Sequence, residues 1–98
     1  MISQGEQELD QYENVFKALA HQSRRHILVV LHARGGTMTA GEIANRFECS
    51  WPTTTRHLRV LQEANLITVT RRSREWVYVL NFDFFNAVIH RWLDGFKC

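Results

Sequence analysis

Residues 50–66, SWPTTTRHLRVLQEANL, decide how this chain is read. Ser50 predicts a helix start, because a serine hydroxyl at that place accepts a bond from a first-turn N–H that the helix leaves unpaired. Pro52 falls in the first turn, where a missing N–H costs nothing. Thr54, Leu58 and Leu61 recur at i, i+4 and i+7 and make one inward stripe. At about 100° per residue, Arg56, Arg59 and Glu63 take the opposite face, with Thr53 and Thr55 on its flanks. Hydroxyls near the helix start with arginines behind them can reach base edges and phosphates. His57 flanks the inward stripe, so its angle favours packing or a backbone bond over base readout. A solvated amphipathic helix shares this pattern, so the neighbouring segments must decide between the two.

Residues 1–8 are polar and expected to fray. From Leu9, the residues Tyr12, Val15, Phe16 and Leu19 keep to one helical face, ending near Ala20 or His21. A second helix is expected from about Ser23 to Ala33, with Ile27 to Leu31 as a buried run; the preceding SRRH favours helix over strand. Gly35 and Gly36 stop it. Thr39 and Glu42 then form T-x-x-E, a capping box for a short third helix with Ile43, Ala44 and Phe47 inward. The helix at Ser50 follows after a tight turn, and two short helices so joined describe a helix-turn-helix. Asn65 is the expected residue just past its end. The period then changes from 3.6 to 2: ITVT and WVYVLN read as two strands, with Arg71 to Glu75 as a basic hairpin tip. From Asp83 to about Phe96 a last helix is apolar over half its circumference, wider than one core contact needs. A second copy of the chain is the simplest cover for it.

Ninety-eight residues suit one domain with one core, spanning residues 1–98. The 45% hydrophobic and 22% charged fractions are those of a soluble globular protein. No apolar stretch approaches the roughly 20 residues of a membrane span, and the start has no signal-like run. Two cysteines make no disulfide framework, so a reduced, cytoplasmic setting is expected. The net charge of +2 is modest but uneven. Residues 50–74 carry Arg56, Arg59, Arg71, Arg72 and Arg74 against Glu63 alone, whereas residues 1–20 are acidic. A basic segment on a nearly neutral chain is the footprint of a phosphate-binding face.

The expected architecture is mostly α with a small β-hairpin: a winged helix-turn-helix of five helices and a two-stranded antiparallel wing. Three segments also resemble the ArsR-type (ArsR/SmtB) repressors of bacteria and archaea. FKALAHQSRRHILVVL, residues 16–31, resembles that family's F-x-A-L-[AS]-D-P-T-R-x-x-I-L. MTAGEIANRF, residues 38–47, resembles its L-x-x-x-E-[IL]-A helix. SWPTTTRHLRVLQEANLI, residues 50–67, resembles S-Q-P-x-[VI]-S-x-H-L-x-x-L-x-x-A-G-L-[IV]. Three positions depart from it: His21-Gln22 replaces the helix-opening Asp-Pro, Trp51 replaces a polar residue, and Ser73 stands where the wing often has glycine. The resemblance implies a homodimer that occludes a promoter until a signal releases it.

The DNA-contact residues expected are therefore Ser50, Trp51, Thr53, Thr55, Arg56, His57, Arg59, Arg71, Arg72 and Arg74. The expected dimer surface holds Tyr12, Val15, Phe16, Phe85, Val88, Ile89, Trp92 and Phe96. Many relatives bind metal, but here no metal or other cofactor is expected. Where one family site has Cys-x-Cys on the third helix, Ile43, Ala44 and Asn45 offer no thiol. The other family site uses Asp-x-His and His-x-x-His or Glu; Asp83-x-Phe85 and His90-x-x-Leu93 each keep one ligand and lose one. Two ligands per chain fall short of the four or three plus water that zinc needs. Cys49 and Cys98 read as inert thiols, Cys98 having only Lys97 as a basic neighbour. No serine or histidine is set beside a partner that would make it a nucleophile, so an enzyme is not expected. The partners expected are double-stranded DNA and a second copy, with the effector open. The other readings are a protein-interaction module using Trp51, Trp76 and the basic wing, or a metal- or redox-responsive repressor.

Overall fold

Ser3 opens the first helix, α1 (Gln4–Leu19), by accepting the Glu6 N–H on its hydroxyl at 3.2 Å. Glu6 stands in the first turn, where the positive end of the helix favours a carboxylate. Residues 4–8, expected to fray, are helical for these local reasons without contributing an apolar stripe. The computed structural model describes residues 3–97.

The second helix, α2 (Gln22–Ala33), starts on His21, whose Nδ1 accepts the Ser23 N–H at 3.2 Å. An imidazole thus does the capping that aspartate does in the family pattern. Ile27, Leu28, Val30 and Leu31 are buried, but Val29 is 65% exposed, so the apolar run is not buried throughout. Five consecutive residues span more than a full helical turn, and one of them must face away from the core. The helix closes on its two glycines. Gly35 donates to the His32 carbonyl at 3.1 Å and Gly36 to the Leu31 carbonyl at 2.7 Å, both with φ near +90°.

A short strand that the sequence reading lacks follows: β1 (Thr37–Thr39). It pairs antiparallel with a strand some forty residues later, so no local pattern marks it. Thr39 also caps the third helix, α3 (Ala40–Arg46), as the T-x-x-E motif predicts: its hydroxyl accepts the Glu42 N–H at 3.1 Å, and the Glu42 carboxylate accepts the Thr39 N–H at 2.9 Å. Ile43 is buried and Phe47 half-buried, but Ala44, expected inward, is exposed. Two turns of helix leave a narrow contact edge, and Ile43 fills it.

The fourth helix, α4 (Trp51–Glu63), buries Thr54, Leu58 and Leu61 as expected. Asn65 and Leu66 close it as the glycines close α2, donating to the Gln62 and Leu61 carbonyls, each at 3.0 Å. Strands β2 (Ile67–Arg72) and β3 (Glu75–Leu80) form the wing, and β1 adds to the other side of β3, giving the antiparallel order β1-β3-β2. The wing expected as two strands is therefore rooted in a three-stranded sheet, which a lone hairpin would need for stability. Asn81 joins both ends of the wing: its N–H bonds the Leu66 carbonyl and its side-chain amide bonds the Asn65 carbonyl, both at 2.9 Å.

The last helix, α5 (Phe82–Asp94), lies on α1. Arg91 donates to the Tyr12 hydroxyl at 2.8 Å, and the Phe16 and Trp92 rings meet edge to face at 4.8 Å. One hydrophobic cluster runs through all five helices and the sheet, including Val15, Leu31, Met38, Ile43, Leu61 and Val88. Val15 and Val88, expected at a dimer surface, are instead enclosed in this core. The same apolar stripe serves core and surface, and spacing alone does not divide it between them.

Candidate nucleic-acid interface

The start of α4 is built from a pair of hydroxyls. Ser50 accepts the Thr53 N–H at 3.4 Å and donates to the Thr53 Oγ1 at 3.0 Å, so each hydroxyl fixes the other. Trp51, the first helical residue, leaves 40% of its surface open, and Pro52 beside it is exposed. Arg56 and Arg59 stand on the exposed face, as their helical angle predicts, and among the described residues neither forms an ion pair.

His57 occupies a different environment from these arginines. Its Nδ1 accepts from an Arg24 guanidinium nitrogen at 3.3 Å, and its ring lies 4.5 Å from that of His21. Burial pushes its pKa below the ordinary imidazole value, and the charges of His21, Arg24 and Arg56 push it further down. A neutral ring with an occupied Nδ1 suits a structural bracket, in line with the packing role its angle favours.

Arg24 is the residue that sequence reasoning passes over. Besides His57 it bonds the Ala18 carbonyl at 2.8 Å and the Lys17 carbonyl at 3.0 Å. One planar guanidinium thereby ties the end of α1 and the start of α2 to α4. Arg25 adds a bond to the Leu19 carbonyl at 2.7 Å. The signal was present in the sequence. Two arginines in the first turn of a helix oppose the local dipole, and such a placement asks for an outside partner.

The register of the wing separates its arginines. Arg71 lies opposite Trp76, and Arg72 opposite Glu75, with Ser73 and Arg74 as the tip. Ser73 has φ of 57°, which is why glycine often serves at such a tip. Alternate residues of a strand share a face. Val69 and Arg71 of β2 thus lie with Tyr78 and Trp76 of β3, while Arg72 falls on the reverse face. An open cleft of about 230 Å³ separates α4 from the wing, with Thr55, Arg59 and Gln62 on one wall and Val69, Trp76 and Tyr78 on the other. The Arg71 guanidinium lies 5.3 Å from the centre of the Trp76 ring. Thr55 Oγ1 is enclosed without a hydrogen-bond partner, and burial raises the Tyr78 phenol above its usual pKa. The structure therefore gathers Thr55 and Arg59 about one cleft, whose lining includes none of Arg71, Arg72 and Arg74; of these three, Arg71 lies over Trp76, which does line it.

Residues 19–70 match the family model of a helix-turn-helix domain. The chain is 44% identical over 68 residues to the transcriptional repressor SdpR of Bacillus subtilis, covering 69% of this chain and 73% of SdpR. It is 36% identical over 81 residues to the arsenical resistance operon repressor of Bacillus subtilis, covering 83% of this chain and 76% of that one. A crystal structure of an ArsR family transcriptional regulator superposes with a TM-score of 0.76 at 26% identity, over 88% of this chain and 86% of the other. The chain belongs to the ArsR-type family of helix-turn-helix regulators.

An ArsR-type regulator is a DNA-binding protein of transcription and not an enzyme. Its recognition helix here is α4, and its wing is β2 with β3. In this member no three His, Cys, Asp or Glu side chains gather as a metal site among the described residues. Cys49 is an exposed free thiol in the turn before α4, and Cys98 lies outside the described residues. No helix among the described residues is long and apolar enough to cross a membrane.

Proposed function

We propose that this ArsR-type protein is a homodimeric repressor that occupies an inverted-repeat operator. One observation carries the DNA-contact part: Arg56 and Arg59, without ion pairs among the described residues, stand on the exposed face of α4, and Arg59 lines an open cleft whose other wall includes Trp76, the ring over which Arg71 of the wing lies. In this reading α4 enters the major groove, Arg56 reads a base edge, and the wing takes phosphates or the minor groove. Ser50, Trp51 and Thr53 approach the backbone at the helix start, and Thr55 and Arg59 line the inner wall. The named repressors among its relatives support the direction of regulation.

The dimer part rests on apolar surface. Trp92 and Leu93 at the end of α5 and Phe96 just past it are exposed, and Leu9 adds to them on α1. Tyr12, Phe16, Phe85 and Ile89 border this surface, half-buried. Val29 and Phe82, which the sequence reading does not assign to it, are also open. A two-fold pairing there would set two copies of α4 about 34–36 Å apart, one turn of DNA.

The test is a gel shift at fixed salt on the DNA upstream of the gene, against random DNA of equal length. Arg56→Ala is expected to weaken operator binding by about 1–3 kcal/mol and to cost less on random DNA. Equal losses on both would make Arg56 a phosphate contact only. Absence of any DNA binding would favour a protein partner for Trp51 and Trp76.

A further inference from the structure

We propose that Trp76 is a positioning residue for DNA binding: its ring holds the Arg71 guanidinium on the side of the wing that faces α4, and makes Arg71 the wing's ordered DNA contact. The inference rests on the reading above that the wing meets DNA.

Three arginines crowd the wing, and charge alone does not rank them. Register does. Arg71 and Trp76 are direct cross-strand partners, on the face that carries Val69 and Tyr78 toward α4. Arg72 faces Glu75 across the ladder, on the reverse side, and Arg74 sits on the tip with no ring opposite it. A free arginine in solution spreads over many rotamers, and fixing it on DNA costs entropy. The Arg71 guanidinium over the ring, 5.3 Å from its centre, makes a cation–π contact, which restricts those rotamers before DNA arrives. The guanidinium edges stay free, because a stacked guanidinium keeps its in-plane donors for a phosphate or a base. Trp76 leaves 49% of its surface open although it is the largest side chain on the wing. Packing against the core does not account for an indole there, whereas a platform for Arg71 does. The wall opposite carries Arg59, so a strand of DNA entering the cleft would meet donors from both sides.

The experiment is a double-mutant cycle in operator binding, with the salt dependence of each variant. Trp76→Leu keeps apolar bulk and removes the π face; Trp76→Phe keeps a smaller face. Thermal melting of each variant checks that the fold is intact. Removing an exposed cation–π contact is expected to weaken binding by about 2–5-fold. Trp76→Leu should show that loss when Arg71 is present and none when Arg71 is already alanine, while Trp76→Phe should recover most of it. Arg71→Ala should flatten the slope of log K against log salt by about 0.9, and Arg72→Ala by less. An equal loss from Trp76→Leu in both backgrounds would mean that Trp76 touches DNA itself, and would overturn the proposal. So would no loss in either background while Arg71→Ala still flattens the slope. If instead Arg71, Arg72 and Arg74 can all be neutralised with no change of slope, while Arg56→Ala still weakens binding, the wing's DNA contact itself falls.

Discussion

Asn65 holds φ of 62°, a conformation that a Cβ makes costly and that asparagine tolerates better than most residues. It ends α4 and starts the wing, so its geometry sets the angle between them. Asn65→Ala should destabilise the fold by about 1–2 kcal/mol, and Asn65→Gly by much less. Urea unfolding of the two variants checks this; equal losses would mean that backbone conformation is not what Asn65 supplies. His57 gives a pH dependence of definite sign. Its folded pKa lies below the ordinary 6.5, so on acidification the unfolded chain binds a proton first. Stability should therefore fall as pH drops below about 6.5, and the fall should end once pH passes below the folded value, where both states are protonated. His57→Gln should flatten that region of a stability-against-pH curve measured by urea unfolding. Glu42 acts in a lower window. The Thr39 N–H and hydroxyl, then Arg34, hold its carboxyl below the usual value, so its contribution is present above the carboxylate range and is lost as pH falls through the folded value.

At the scale of elements, the joint between α1, α2 and α4 depends on one side chain. Arg24 bonds two carbonyls at the end of α1, that of Ala18 and that of Lys17, which also takes the Ala20 N–H, and reaches His57 on α4. Lysine carries the charge but not the planar fork, so it cannot make the three contacts together. Arg24→Lys should cost about 1.5–3 kcal/mol, the range for hydrogen bonds to charged groups, and should speed hydrogen exchange at the last amides of α1 before those of α3. Unchanged exchange at the end of α1 would show that solvent replaces Arg24 there. Elements with a local signal were legible in the sequence: the Thr39–Glu42 box, the Ser50 cap and the closure at Asn65 all stand where the residues put them. Strand β1 was not, because three residues hold no periodicity and their partner lies far along the chain.

At the scale of the whole molecule, the question is what covers the apolar surface of α5. Leu93 and Phe96 are 50% and 71% exposed, so they are open to a partner without serving the core. Leu93→Glu is a cleaner test of pairing than a change at Ile89 or Trp92, which also pack within one chain. We expect the parent to sediment as a dimer at micromolar concentration and Leu93→Glu as a folded monomer. The variant should also lose operator affinity, since half of each operator contact is then unlinked. A parent that sediments as a monomer while binding its operator tightly would end the dimer reading.

The order of helices, the change of period that makes the wing, the caps, and the charge asymmetry along the chain were all readable from the residues alone. Each of these is a short-range property: a hydroxyl reaches an N–H a few residues away, and a stripe repeats within a turn or two. The sequence also carried the family resemblance, through the spacing of residues 16–67. Tertiary structure alone decided how one apolar stripe divides between interior and surface, placing Val15 and Val88 inside and leaving Val29 and Leu93 outside. It alone separated Arg71 from Arg72, because the register of β2 on β3 fixes which side chain faces α4. It also turned Arg24 and His57 into a bracket between three helices. These outcomes depend on contacts between residues distant in the chain, and such contacts leave no periodic mark on either partner.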